Sequence, residues 1–440
     1  MVLKKFILVL CIFTAAISNA QNALTFGSVD SLLIYAEQKS YVIKTGDQQS
    51  LLAKWTKISS YFNTINIKSP ISATWTDNLQ LPVSYLPAEA FGGPAGTFKA
   101  VTMGQQYITN YAITPQIDII NPSAWARIKS AELNKQLIKV NNQVAKKNLF
   151  ESIAATYYNI LSLQFQVNLI QQHVKAGDSL QTIGENKFSQ GIIREQDLNN
   201  IKVNQLNIED KLNQVKAQLE QNINSLKILC DLKSETNIQF TETIENASVE
   251  SDQKAASSML LIKQAQLQSH YLKSEMNANR WLTFSPTLSL IFNQAWQQNS
   301  NVGFTDSKAN KFTSQYIGLR LSVPFPLDPG RLAQNYTAKI NYNMSAITAL
   351  HSDLQNGMIN QNLDIDQQRS LSTYNTTKQI SELKSANYTK SMNQYKEGIL
   401  STDLLLNSFS DKVNADIALA GAKASLKFTQ AKIKLNNTIQ

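Results

Sequence analysis

The chain has 440 residues, 43% of them hydrophobic and 17% charged, with 15 Gly and 10 Pro. Those 25 breakers are under 6% of the residues, about half of average usage, so the elements must be long and unbroken. The formal net charge is +9, but the charges lie singly and form no run dense enough to follow a phosphate backbone, which argues against nucleic acid as a partner.

In chain order, residues 1–20 read as a secretory signal: Lys4 and Lys5, an apolar stretch from Phe6 to Ala16, and small residues at Ser18-Asn19-Ala20 before Gln21. The apolar core of 11 residues is too short for a spanning helix, which needs ~20. Leu10 stands before Cys11 where a lipoprotein signal requires a small residue, so lipidation there is not expected. With the signal removed Cys230 stands alone, and packing and assembly must do what disulfides do in many exported proteins. No later stretch reaches 18 consecutive apolar residues, so a membrane crossing would have to be by strands in a closed barrel.

Four segments have the period-two alternation of such strands. From Ile65 the apolar set is Ile65, Ile67, Ile71, Ala73 and Trp75, interrupted by Pro70. Residues 98–114 repeat it more weakly through Val101, Met103, Tyr107, Tyr111 and Ile113. A third run sets Leu282, Phe284, Leu288, Leu290, Phe292 and Trp296 against Thr and Ser, and a fourth carries Ile317, Leu319, Leu321 and Val323 before Pro324-Phe325-Pro326. Turn-rich segments 79–97 and 297–311 join them into two pairs, about 65–114 and about 281–326. A soluble sheet with one face on a core shows the same alternation, so strand pattern alone leaves both readings open.

Between Gly191 and Asp231 the positions Leu198, Ile201, Gln205, Ile208, Leu212, Val215, Leu219, Asn222, Leu226 and Leu229 step by three and four, a heptad seam. Upstream, residues 124–188 contain no Pro; as one helix they would span about 95 Å at 1.5 Å per residue. A second long helix is expected over about 332–395, a turn at Gly398, and a helix from about Asp403 onward. Each long segment turns at one glycine and returns, predicting antiparallel helix pairs at about 124–230 and 331–440. The landmarks also repeat. Tyr107, Ile108 and Pro115 align with Tyr316, Ile317 and Pro324 at an offset of 209, and Phe188-Ser-Gln-Gly191 aligns with Tyr395-Lys-Glu-Gly398 at 207. The expected organisation is a first repeat over 21–230, a polar linking segment over 231–253 and a second repeat over 254–440.

These residues resemble the TolC family of outer-membrane channels. The likeness rests on an aromatic, two residues, Gly, an apolar residue and then Asp-apolar, here Phe188-Ser-Gln-Gly191-Ile192 with Asp197-Leu198 and Tyr395-Lys-Glu-Gly398-Ile399 with Asp403-Leu404. It is supported by Leu24-Thr25-Phe26, Leu288-Ser289-Leu290, Leu321-Ser-Val-Pro-Phe-Pro326 and the Phe91–Phe98 loop. The resemblance implies a mixed α/β membrane protein. Four strands from each chain of a homotrimer would build one shared twelve-stranded barrel in the outer-membrane lipid, continued by an α-helical coiled-coil tunnel, with 231–253 in an equatorial band.

It also implies a passive exit duct for small molecules, served by a periplasmic adaptor and an inner-membrane transporter. A protein-secretion channel is the alternative cargo, and a secreted coiled-coil scaffold without a barrel the alternative class. Asp197, Tyr395 and Asp403 match gate positions, with Arg194 a candidate cation, and Gly191, Ile192, Gly398 and Ile399 would form the adaptor-docking turns. The chain departs from the family pattern at Leu400 and Leu406, which stand where a gate arginine and a second acid are expected. The same aspartates also suit helix N-capping. Enzyme chemistry finds little support: His173, His270 and His351 lack metal-ligand spacing, Cys230 has no nearby His, and no phosphate-cradling glycine loop appears, so no cofactor is expected.

Overall fold

The structure, a computed structural model, describes residues 24–65, 70–244, 254, 256, 259–325 and 328–439. The expected signal 1–20 lies outside the described residues, as do residues 66–69 of the first expected strand and 245–253 of the linking segment. In chain order the elements are β1 (Leu24–Phe26), α1 (Val29–Lys39), α2 (Tyr41–Ile65), β2 (Ile71–Asp77), β3 (Val83–Pro87), a 3-10 turn (Ala88–Phe91), β4 (Phe98–Thr102), β5 (Tyr107–Ile113), β6 (Gln116–Ile120), α3 (Pro122–Ser189), α4 (Glu195–Leu229), β7 (Ile238–Phe240), α5 (Leu260–Phe284), β8 (Thr287–Ser300), β9 (Asn310–Ser322), α6 (Pro329–Lys396) and α7 (Thr402–Thr438). Among the described residues no helix is long and apolar enough to cross a membrane.

The chain forms two compact bodies, one of residues up to Gln49 with Lys139–Gln264 and Leu350–Gln440, the other of Ser50–Ile138 with Ala265–Ala349. Helices dominate the first. The heptad seam of α4 buries Leu198, Ile201, Gln205, Ile208, Val215 and Leu226. Its polar members bond sideways: Gln205 Nε2 donates to Asp178 Oδ1 at 2.7 Å, while its buried Oε1 has no partner among the described residues, and Asn222 Oδ1 accepts from Asn159 Nδ2 at 2.8 Å. Ile153, Ile160 and Leu226 are fully buried, each such side chain contributing about 1.5–3 kcal/mol by leaving water.

The segment after α4, expected to be a polar link, contains β7, which pairs in parallel with β1 through Leu24–Ile238, Thr25–Gln239 and Phe26–Phe240. Ser28 then starts α1 through a reciprocal bond with Ser31. Tyr157 packs beneath the strand pair and donates to Glu242 at 2.6 Å; burial, reinforced by that carboxylate, pushes its hydroxyl well above its ordinary value. Further along, Asp416 of α7 accepts from Ser381 of α6 at 2.7 Å and lies 3.5 Å from His173 of α3. Burial alone would raise that carboxyl, but the His173 and Ser381 contacts outweigh it and hold it below its ordinary value.

The second body is built on one antiparallel sheet. Strand β8 pairs on one side with β5 and β6 and on the other with β9, and β2 pairs with β5. β5 and β6 lie in line, interrupted at Pro115, whose ring nitrogen has no hydrogen to donate; its carbonyl still accepts from Phe292 N at 3.0 Å. The order across the sheet is therefore β2, β5 with β6, β8, β9.

Several expected boundaries are corrected. The run 98–114 is not one strand: Phe98–Thr102 pairs with Val83–Pro87 inside the segment expected to be loop, and Gly104, at φ +105°, separates this hairpin from β5. Side-chain parity continues across that break, which is why alternation alone does not reveal it. Leu282 and Phe284 belong to the end of α5, and the strand begins at Thr287 after Pro286. Ile65 ends α2, not a strand, and β9 starts at Asn310, earlier than the alternation suggests.

Cys230 is free, fully buried, and its thiol is pushed up to about 12 by burial. The native chain should therefore resist iodoacetamide at pH 8 and be modified once unfolded in guanidinium, read by mass spectrometry; rapid native labelling would show this core to be loosely packed.

Candidate functional site

Directly opposed residues of antiparallel strands share a face, so the register sorts the sheet of the second body into two surfaces. One face carries Leu288 with Leu321, Leu290 with Leu319, Phe292 with Ile317, Tyr111 with Trp296 and Ile71 with Ile113. The other carries Ser289 with Arg320, Asn110 with Gln297 and Thr74, Asn293 with Tyr316, and Asn299 with Asn310. Gln294 and Gln315 are a polar pair within the first face, and Phe312 and Tyr316 are aromatic members of the second.

The apolar face is largely bare. Ile71 on β2 and Ile317, Leu319 and Leu321 on β9 are all at least 65% exposed, apolar surface of the kind that marks a protein or membrane contact. Its apolar rows run from Leu288 to Trp296, about 26 Å along the strand and about 20 Å of height at a tilt near 40°. Trp75 and Tyr111, 6.1 Å apart and edge to face, lie with Trp296 toward one end; Trp281 and Phe284 are exposed at the other. The outer edges of β2 and β9 have no strand partner among the described residues.

In the first body the two glycine turns are built alike. Gly191 and Gly398 hold φ of +73° and +78°, a left-handed conformation suited to glycine after a helix end. In each, the next residue closes the helix: Ile192 N donates to Lys187 O and Ile399 N to Gln394 O, both at 2.9 Å. Ile192 and Ile399 are exposed at the turns.

Among the expected gate residues, Arg194 and Asp197 meet: Asp197 Oδ2 accepts from Arg194 N at 3.0 Å, and the guanidinium Nε lies 3.8 Å away, exposed. Asp197 thus closes the N-terminus of α4. Asp403 instead accepts from Asn200 of α4 at 3.2 Å, joining the two helix pairs. Tyr395 is buried, makes no bond to Asp197, and its hydroxyl has no hydrogen-bond partner among the described residues. Its carbonyl accepts from Lys187 Nζ at 2.7 Å, and that ammonium lies 3.9 Å from the ring centroid.

Leu406 and Leu400, the departures from the family pattern, join Leu180, Ile201, Tyr395 and Leu405 in an apolar cluster. Lys187 and Asn200 were not legible as site residues. Lys187 adjoins the aromatic of the glycine motif, a position near the last carbonyls where a cation is favoured, and that is the one signal it gives.

No protein-family model matches the chain and no curated protein matches it. Solved structures do. The CmeC outer-membrane channel of Campylobacter jejuni is 15% identical, with 93% of this chain and 85% of that chain covered at a TM-score of 0.74. The outer-membrane protein VceC of Vibrio cholerae is 14% identical over 93% and 95% of the two chains at 0.72. The open state of the MtrE outer-membrane channel of Neisseria gonorrhoeae is 13% identical over 93% and 88% at 0.69. The chain therefore has the fold of the outer-membrane channels. The resemblance to the TolC family read from the glycine motifs agrees with it.

Lys187→Met keeps most of the aliphatic stem and removes the tie to Tyr395. Losing about 1 kcal/mol there should speed amide exchange across residues 394–400 about fivefold by hydrogen-exchange mass spectrometry. Unchanged exchange would remove Lys187 from the support of the turn.

Proposed function

We propose that the chain is the outer-membrane exit duct of a tripartite export system, a passive homotrimeric channel for small molecules. The observation that carries this reading is the two-faced open sheet. Four strands wide, it presents an apolar band to one side and Ser, Thr, Asn and Gln to the other, and its β2 and β9 edges have no strand partner among the described residues. A chain embedded in lipid cannot leave such edges open. Three copies, each joining β2 to the β9 of its neighbour, give three times four strands, a closed even-numbered barrel with its polar face toward the lumen. The fold shared with solved outer-membrane channels supports the same assembly.

The helices are suited to it as well. On α6, Tyr336, Ile340, Met344 and Ile347 in the second body and Leu350, Leu354 and Met358 in the first are exposed at three- and four-residue spacing, stripes that neighbouring copies would cover. The turns at Gly191–Ile192 and Gly398–Ile399 offer exposed apolar tips to a periplasmic adaptor, which would link the duct to an energised inner-membrane transporter. Asp197, Tyr395, Asp403 and Arg194 would hold the tip shut until the helix pairs untwist, with the Leu400–Leu406 cluster adding apolar cohesion.

Unboiled and boiled outer-membrane extracts should show a trimer band that collapses to monomer on gel electrophoresis. Recovery as a soluble monomer or dimer would replace the duct by a coiled-coil scaffold. Leu290→Arg, on the apolar face, should cost about 2–4 kcal/mol if it lies near the bilayer midplane and deplete the trimer band. Ser314→Arg, on the polar face, should leave the band unchanged. In planar bilayers Asp197→Ala with Tyr395→Phe should raise single-channel conductance, and an unchanged value would remove these two residues from the gate.

A further inference from the structure

We propose that the cleft where α3 begins and α5 ends binds a phosphate group, with the headgroup of an anionic phospholipid as its membrane source; the lipid source rests on the duct reading above. The cavity, about 420 Å³, lies within the second body. Two serines in its wall, Ser123 in the first turn of α3 and Ser285 just past α5, are 6% and 7% exposed, and neither hydroxyl bonds to a described residue. Neither oxygen is sealed in the protein, so each opens on the cavity and can give its hydrogen to an occupant there.

Three further features give that occupant its chemistry. The 68-residue helix α3 starts here, so the positive end of its dipole faces the cavity. Asn121 Oδ1 takes the Ala124 N–H at 3.1 Å and Pro122 has none, which leaves the Ser123 N–H available. Arg127, one turn on, lines the same wall and makes no ion pair among the described residues. A guanidinium, a backbone N–H and two hydroxyls suit a tetrahedral oxyanion. Asp118 is the acid of the wall, and its oxygens are already engaged by Gln116 at 3.1 Å, Asn121 at 3.1 Å and Ser289 at 2.7 Å.

Position supplies the source. Thr287, in the cavity wall, directly precedes Leu288, the first row of the apolar band, and the exposed Trp281 lines the rim. On the duct reading this is where headgroups lie, and where indole rings and unpaired arginines collect.

The test is titration calorimetry on the full chain in an uncharged maltoside detergent, with dihexanoyl phosphatidylglycerol in one arm and inorganic phosphate in the other. Saturable binding in either arm is expected, weakened at least tenfold by Arg127→Ala, about fivefold by Ser123→Ala with Ser285→Ala, and largely rescued by Arg127→Lys. Binding of the lipid alone identifies the headgroup as the source, and equal binding of inorganic phosphate identifies the free ion. No saturation in either arm, or affinity unmoved by Arg127→Ala in a protein with native circular dichroism, overturns the site. Phosphate binding by a chain that does not fractionate with the outer membrane would retain the site and sink the duct.

Discussion

Backbone pairing at the sheet edges is the constraint from which the other proposals follow. The register of β2, β5, β8 and β9 leaves the outer edges of the two outer strands without a strand partner among the described residues, beside a face whose leucines, isoleucines and tryptophans are largely bare. Water can satisfy such edges on a soluble protein, but it cannot cover that face without cost, and lipid can cover the face but not the edges. Closure with further copies of the same sheet answers both demands. The exposed apolar stripes along α6 fit the same answer, since a helix apolar on an uncovered face needs a neighbour.

The helical turns show a second economy. Where the family pattern has charge, this chain has Leu400 and Leu406, and both pack with Tyr395 and Leu405. Beside the turns the polar links between the helix pairs are modest: the Asn200–Asp403 bond, and the Lys187 contact with the Tyr395 carbonyl and ring. A tip held mainly by packing has no strong directional lock, so its opening would depend on how the helices twist more than on breaking an ion pair. Asp197 is a capping residue in the single chain. Its carboxylate already serves the α4 N-terminus in the single chain, and any role between neighbouring chains would have to share those oxygens.

Much of this architecture is written in local pattern. Scarcity of breakers, the α4 heptad and the glycine motifs predict long helices that turn at Gly191 and Gly398, because helix continuation and left-handed turns are decided within a few residues. The period-two runs likewise place β2, β5, β8 and β9 to within several residues. Two of their errors share one cause: parity does not register a break. It runs unbroken across Gly104 from β4 into β5, and from the helical Leu282 and Phe284 into β8, although backbone direction changes at both places.

What the sequence alone determined is therefore the kind and order of elements, the apolar parity of the strands and the position of the turns. The tertiary structure decided which strands pair, that Phe98–Thr102 folds back on Val83–Pro87, and that β1 meets β7 across more than 200 residues. It also decided which polar groups meet: Lys187 with Tyr395, Asn200 with Asp403, and Ser123 and Ser285 around one cavity. The division has a physical basis. Helix propensity, turn conformation and side-chain alternation are set by near neighbours, whereas register and polar contacts depend on distances between residues far apart in the chain, which no local pattern encodes.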